Sequence, residues 1–139
     1  HSAHCLGKRS NISAQAEMQH QTLMKVILDF VSNHVHQDHP YLRDHKNWFG
    51  TVNLPDGGLN IRQWDGDTRL TTWFDEFIPS FDFPSAPVAI NQVVEDAIWW
   101  KGEYDLDGYR QDAVKHVPHS LWKSLTRSAK IRFLRPNLI

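Results

Sequence analysis

The feature that most constrains the fold is the run of apolar residues MKVILDFV at positions 24–31. It is rich in β-branched and large side chains and is interrupted only by Lys25 and Asp29. A continuous run of this length is typical of a β-strand that is buried on both faces, and such strands belong to parallel sheets covered by helices. The run therefore predicts a parallel sheet with helices packed against it.

The segments around this run alternate between helical and extended patterns. Helices are predicted over residues 13–23, 87–104 and 119–134, and a second strand is predicted within 104–114. The second helix has Pro87 in its first turn, and apolar residues recur at helical spacing behind it. The order helix, strand, loop, helix, strand, helix predicts an α/β fold with a parallel sheet.

The stretch of residues 35–90 shows no sustained helical or extended period. It is rich in Asp, Gly, Pro and aromatic residues, as in LPDGGLN and FDFPSAP. Loops of such length inside one domain usually carry function or form a small subdomain. We therefore expect an inserted, irregular subdomain over this stretch.

Composition and charge exclude several classes of function. The 139 residues suit one domain, and 15 basic against 16 acidic side chains disfavour nucleic acid and acidic membranes as partners. No apolar run approaches the roughly 18 residues that span a membrane, and no signal-peptide pattern stands at the start. The single cysteine, Cys5, supports neither a disulfide nor a CxxC site. These observations predict a soluble protein with a neutral partner.

Histidine and tryptophan are both abundant, with nine and six copies. His34, His36 and His39 are close enough in sequence to be considered as zinc ligands, because a zinc site needs at least three converging ligands. The tryptophans supply flat apolar faces that build cores and also stack on sugar rings. For most of them a place in the core is the favoured interpretation.

Polar side chains cluster where each predicted strand ends, with DFVSNH at residues 29–34 and RQDAVKH at 110–116. In βα folds the reacting side chains gather at these ends. Arg110 and Asp112 are two apart on an extended chain and so point to the same face, where the guanidinium would hold the carboxylate ionised in a low-dielectric pocket. Such a pair suits a nucleophile toward an acetal carbon, and a structural ion pair explains it equally well.

These two clusters resemble the first and second signature regions of the α-amylase family of glycoside hydrolases, family 13. The motifs are LDFVSNH at residues 28–34 and DGYRQDAVKH at 107–116, about 80 positions apart. Between them IPSFDF, residues 78–83, resembles the short motif of the family's loop domain. The resemblance covers Met24 to Leu125 and includes the order and the spacing of the motifs.

The resemblance implies a partial (β/α)8 TIM barrel, about half of one, with a long irregular loop subdomain. The two predicted strands would be the third and fourth of the barrel, residues 13–139 the barrel fragment, and 35–90 its inserted subdomain. Residues 1–12 would be an atypical N-terminal segment. A half barrel leaves strand edges unpaired and apolar faces open, so we expect a homodimer or a larger assembly.

The resemblance also implies a role for each matching residue. Asp112 would be the catalytic nucleophile, forming a β-glycosyl ester, and Arg110 would support it. Asn33 matches a position that binds structural calcium in many members. Ser80 stands where the loop motif usually has an aspartate, which removes one hard oxygen ligand for calcium. The implied substrate-binding residues are Asp29, His34, Lys115 and His116.

The implied activity is retaining hydrolysis of α-1,4-glucosidic bonds in starch and related α-glucans. A retaining glycosidase also needs a second carboxyl group as acid and base, which the family takes from a glutamate on the next barrel strand. All four glutamates of this sequence precede Asp112, which is itself the last aspartate. The alternative is therefore a catalytically incomplete fragment that only binds an α-glucan or maltooligosaccharide, or a structural remnant. A starch-acting enzyme favours a secreted or periplasmic location over a cytoplasmic one.

Overall fold

The computed structural model describes residues 24–134, together with Ala14, Glu17 and Met18 of the preceding segment. Its main elements are strand β1 (Ile27–Phe30), helix α1 (Pro40–Asp44), helix α2 (Pro87–Tyr104), strand β2 (Gly108–Gln111) and helix α3 (His119–Phe133). Short 3-10 turns lie at Lys46–Trp48, Asp67–Leu70 and Val114–His116. The helix predicted over 13–23 lies outside the described residues, apart from those three positions.

The two strands form a parallel pair, as the sequence predicted. Ile27 pairs with Gly108 and Phe30 with Gln111, so β1 and β2 end side by side. Parallel strands need a long crossover connection, and here it consists of the irregular stretch and α2. Phe30 packs against the hydrophobic core, which places the helices on its face of the sheet.

The prediction that β1 is buried on both faces is wrong. Ile27 is 62% exposed and Val31 is 41% exposed. Side chains alternate along a strand, so these two residues lie on the face opposite to Phe30. Within residues 24–134, β2 is the only strand that pairs with β1, and the helices cover one face only. The other face of the sheet is open to solvent.

Helices α2 and α3 match the predicted positions. Helix α2 begins at Pro87, whose fixed φ suits the first turn, and ends before Asp105, which adopts the left-handed conformation with φ 48°. Helix α3 follows Pro118 and buries Leu121 completely. The two helices pack against each other over one side of the sheet. Among the residues described, no helix is both long and apolar enough to span a membrane.

The hydrophobic core joins the irregular stretch to the helices. Phe49, Phe81 and Phe83 are each at most 7% exposed, and their rings stack in sequence, with centroids 4.6 Å and 5.0 Å apart. They belong to the same buried cluster as the inner face of α2 and Leu121 of α3. Residues 35–90 thus contain little regular structure, as predicted, and still contribute a large part of the core.

Candidate active site

The ends of the two strands bring three charged residues together. Asp29 and Arg110 are partners in the strand register. The Nη1 atom of Arg110 lies 3.0 Å and 2.8 Å from the two carboxylate oxygens of Asp29, and 3.1 Å from Oδ1 of Asp112. One guanidinium therefore bridges two carboxylates on the open face of the sheet. The hydrogen bond and charge of Asp29, followed by the charge of Asp112, raise the pKa of Arg110.

The low-dielectric pocket expected around this group is not formed. The side chains of Asp29, Arg110 and Asp112 are 59%, 57% and 39% exposed. They share the sheet face on which Ile27 and Val31 are exposed, and the helices pack on the other face. The sequence shows that the charges meet, but it does not show which face of the sheet is covered.

His34 lies beside this charged group. Burial lowers its pKa most strongly, the charge of Asp112 raises it, and the charge of His116 lowers it. The three residues are therefore close enough to interact electrostatically. The ring of His34 also packs against Phe74, with centroids 4.8 Å apart.

His116 is held in a fixed orientation by the irregular stretch. Its Nδ1 lies 2.8 Å from the carbonyl oxygen of Arg69, so Nδ1 carries the proton and donates to that oxygen. Trp64 and Phe74 pack edge-on against the ring at 5.3 Å and 5.1 Å. His116 is 8% exposed, whereas Trp64 is 37% exposed. These two aromatic residues are outside the sequence motifs, and the only signal for them was the presence of aromatic side chains in a long polar loop.

Lys115 projects from the same turn toward the irregular stretch. Its Nζ lies 3.0 Å from Oδ1 of Asp65, and the two side chains are 57% and 93% exposed. Exposed ion pairs of this kind contribute little to stability, because water screens the two charges. A ligand with acceptor oxygens can therefore compete with Asp65 for the ammonium group.

The surroundings of Asn33 do not fit a calcium ion. Asn33 is 1% exposed, and its side-chain Nδ2 contacts Ser80 Oγ and His34 Nδ1, each at 3.2 Å. Calcium needs several oxygen ligands, preferably carboxylates, and neither of these two partners of Asn33 is a carboxylate. In the described part of the chain no group of three His, Cys, Asp or Glu side chains is placed to hold a metal.

The alternative zinc cluster is also not formed. The Nδ1 atom of His39 accepts from the backbone N–H of Tyr41 at 3.1 Å. The Nδ1 atom of His36 contacts Asp38 instead, at 3.3 Å. The closely spaced histidines thus serve separate local contacts, and His34 turns toward Asn33.

Two of the described glutamates lie on a helix that packs on the face of the sheet opposite to Asp112. Glu95 and Glu103 lie on α2, which packs on the face of the sheet that carries Phe30. Asp112 contacts Arg110 on the opposite, open face. A second carboxyl group for acid and base chemistry is therefore not supplied from α2.

Comparison with known proteins identifies relatives of one kind, although no protein-family model matches the chain. The chain is 29% identical over 137 residues to the α-amylase MalA of Haloarcula japonica, covering 91% of this chain and 18% of that protein. It is 27% identical over 122 residues to the intracellular maltogenic amylase of Bacillus subtilis, covering 78% of this chain and 18% of the relative.

Solved structures give the same result. The α-amylase of Geobacillus thermoleovorans in complex with acarbose superimposes with a TM-score of 0.70 at 34% identity, over 88% of this chain and 26% of that one. An α-amylase from Anoxybacillus superimposes with a TM-score of 0.73 at 31% identity, over the same shares of the two chains. The chain thus spans about a fifth to a quarter of the length of these relatives.

Proposed function

We propose a function on the premise that the chain belongs to the α-amylase family of glycoside hydrolases. The chain carries the nucleophile half of a retaining site for α-1,4-glucosidic bonds in starch and related α-glucans. The observation that carries this proposal is the bridge that Arg110 makes between Asp29 and Asp112 at the ends of two parallel strands. Carboxylates at this end of a parallel sheet are placed where βα folds carry out their chemistry.

In this proposal the fold is a partial (β/α)8 barrel. Strands β1 and β2 are its third and fourth strands, residues 13–139 the barrel fragment, residues 35–90 the inserted subdomain, and residues 1–12 a separate N-terminal segment. In a barrel, helices cover the outer face of the strands, and the other face points to the interior. The helices of this chain pack on one face of the sheet, and the ion pairs lie on the other, which supports the assignment.

Asp112 acts in this proposal as the nucleophile. A carboxylate oxygen attacks the anomeric carbon, the bond to the leaving oxygen breaks, and a β-glycosyl ester forms, which water later hydrolyses. Arg110 keeps the carboxylate in place through its contact at 3.1 Å. The leaving oxygen takes the electron pair of the broken bond and needs a proton from an acid that is not a glutamate of α2.

The other matching residues would bind the sugar. His34 and Asp112 lie close enough to interact, which supports a sugar contact at the point of cleavage. Lys115 and His116 would meet the sugar on the leaving-group side, and the weak, exposed pair between Lys115 and Asp65 supports this role. Both oxygens of Asp29 accept from Arg110, so Asp29 would act mainly by holding that guanidinium.

The second candidate function is binding of α-glucans without hydrolysis. The observation that favours it is the placement of Glu95 and Glu103 on α2, which packs on the face of the sheet opposite to Asp112. Titration of maltooligosaccharides, followed by tryptophan fluorescence and by reducing-end release, separates the two functions. Release of reducing ends supports the hydrolase, a fluorescence change without release supports the second function, and the absence of both signals contradicts both functions.

Replacing Arg110 by methionine is expected to slow turnover of α-maltosyl fluoride at least about tenfold, because a fixed positive group beside the reacting carboxylate is lost. The thermal midpoint should stay nearly unchanged, since exposed ion pairs contribute little to stability. Arg43→Met is the matched control, because Arg43 also pairs with an aspartate on the surface. Equal rates for the two variants would rule out a role for Arg110.

We also propose that the chain associates with itself through the open face of the sheet. Ile27 and Val31 are exposed there, and within residues 24–134 strand β1 pairs with β2 alone, an arrangement that favours association. Sedimentation velocity at micromolar concentration should give a dimer or larger species, and Ile27→Lys should shift it toward the monomer. Leu59→Lys, at an exposed position in the irregular stretch, should leave it unchanged. A stable monomer for the unaltered chain would contradict the proposal.

A further inference from the structure

Three hydrogen bonds join the segment that follows β1 to residues 79–81. The N–H of Val35 donates to the carbonyl of Pro79 at 3.1 Å, and the N–H of Phe81 donates to the carbonyl of Asn33 at 3.0 Å. Between these two bonds, the side-chain Nδ2 of Asn33 donates to Ser80 Oγ at 3.2 Å. Asn33 and Ser80 are 1% and 0% exposed, so water does not compete for this contact.

Ser80 also anchors a third segment. Its carbonyl oxygen accepts from the N–H of Gly50 at 3.0 Å, and the neighbouring Phe49 and Phe81 form a bridge with stacked rings. The end of β1, the residues around Gly50 and residues 79–81 therefore meet at one buried serine. Phe81, 2% exposed, ties this junction to the hydrophobic core.

We infer that the hydrogen bond between Asn33 and Ser80, named here the Asn33–Ser80 clasp, takes the place of a calcium ion in this chain and positions His34. An amide nitrogen carries two hydrogens and only donates. One hydrogen goes to Ser80 Oγ, and the other goes to Nδ1 of His34 at 3.2 Å. Nδ1 of His34 must then accept, which leaves the proton of the neutral ring on Nε2.

The chemistry of this junction excludes a cation at the same place. A divalent ion needs several oxygen ligands and carboxylates to compensate for its lost hydration. Besides the amide oxygen of Asn33, the contacts of the clasp offer one hydroxyl and one imidazole nitrogen and no carboxylate, and the side chains of Asn33 and Ser80 are closed to solvent. A neutral donor and acceptor, each satisfied by the other, avoid the cost of a buried charge. This inference concerns how the end of β1 is held, and it does not depend on the proposed hydrolase activity.

The first test is thermal unfolding of the full chain in calcium chloride and in a chelator. The midpoint should be the same in both, and Ser80→Ala should lower it by about 5 °C in both, because a buried donor loses its acceptor. Ser85→Ala is the control, since Ser85 is exposed. A midpoint that rises with calcium, or a Ser80→Ala midpoint no lower than the control, would overturn the inference.

The second test reads the positioning of His34 directly, by ¹⁵N NMR of its ring at pH 8 in chelator, where the ring is neutral. The unaltered chain should show the proton on Nε2. Asn33→Asp replaces the donor by an acceptor of the same shape and should move the proton to Nδ1. A proton on Nδ1 in the unaltered chain would overturn the inference even if the variant failed to fold.

Discussion

Replacing Asp112 by asparagine is expected to lower turnover of α-maltosyl fluoride by at least about a thousandfold, the order of effect seen when a nucleophile is removed. Fluoride leaves the anomeric carbon without being protonated, so formation of the glycosyl ester and release of fluoride do not need the acid that α2 does not supply. The reaction then depends on the attacking carboxylate and on the Arg110 contact that holds it. Asparagine keeps the shape of the side chain and removes the negative charge.

Asp38→Asn is the matched control for this variant. Asp38 is also an exposed aspartate in a local ion pair, with His36, and it is outside both motifs at the strand ends. Its loss should leave fluoride release unchanged. If Asp112→Asn retains the rate of Asp38→Asn, then Asp112 is not the nucleophile, and the family motif has lost its usual role in this chain.

Replacing Phe83 by alanine is expected to lower the free energy of unfolding by about 3–5 kcal/mol, the range for deleting a buried phenylalanine ring. Phe83 is 1% exposed and its ring lies 5.0 Å from that of Phe81, in the middle of the core. Such a loss is a large part of the total stability of a single domain. Urea denaturation followed by tryptophan fluorescence measures it.

Phe77→Ala is the control for the same deletion on the surface. Phe77 lies six residues earlier on the irregular stretch and is 45% exposed. Replacing Phe77 should lower the free energy of unfolding much less than replacing Phe83, because less buried apolar area is lost. Equal losses for the two variants would show that the irregular stretch does not pack into the core.

Local patterns were sufficient for much of the fold. The helix predicted over 87–104 matches α2 residue for residue, because Pro87 marks its start and the apolar spacing continues to its end. The parallel pairing also follows from the alternation of strands and helices. The meeting of Arg110 and Asp112 follows from the period of a strand, which needs no tertiary information.

Properties that depend on residues far apart in the sequence could not be predicted from local sequence patterns. The burial of β1 depends on what lies against both faces, and Ile27 is exposed because the helices cover only the other face. The enclosure of His116 depends on Trp64 and Phe74, which no spacing rule places beside it. The contact of Asn33 with Ser80 joins positions 47 apart in the chain, and the motif alone suggested a metal ligand instead.

The most direct measurement of the central claim is the location of a covalent sugar on the chain after reaction with α-maltosyl fluoride. Trypsin cleaves after Arg110 and Lys115 and releases the peptide of residues 111–115, QDAVK, in which Asp112 is the only acidic side chain. The assignment predicts a maltosyl ester on this peptide, and none in Asp112→Asn. A maltosyl adduct on another peptide, with QDAVK left unmodified, would contradict it.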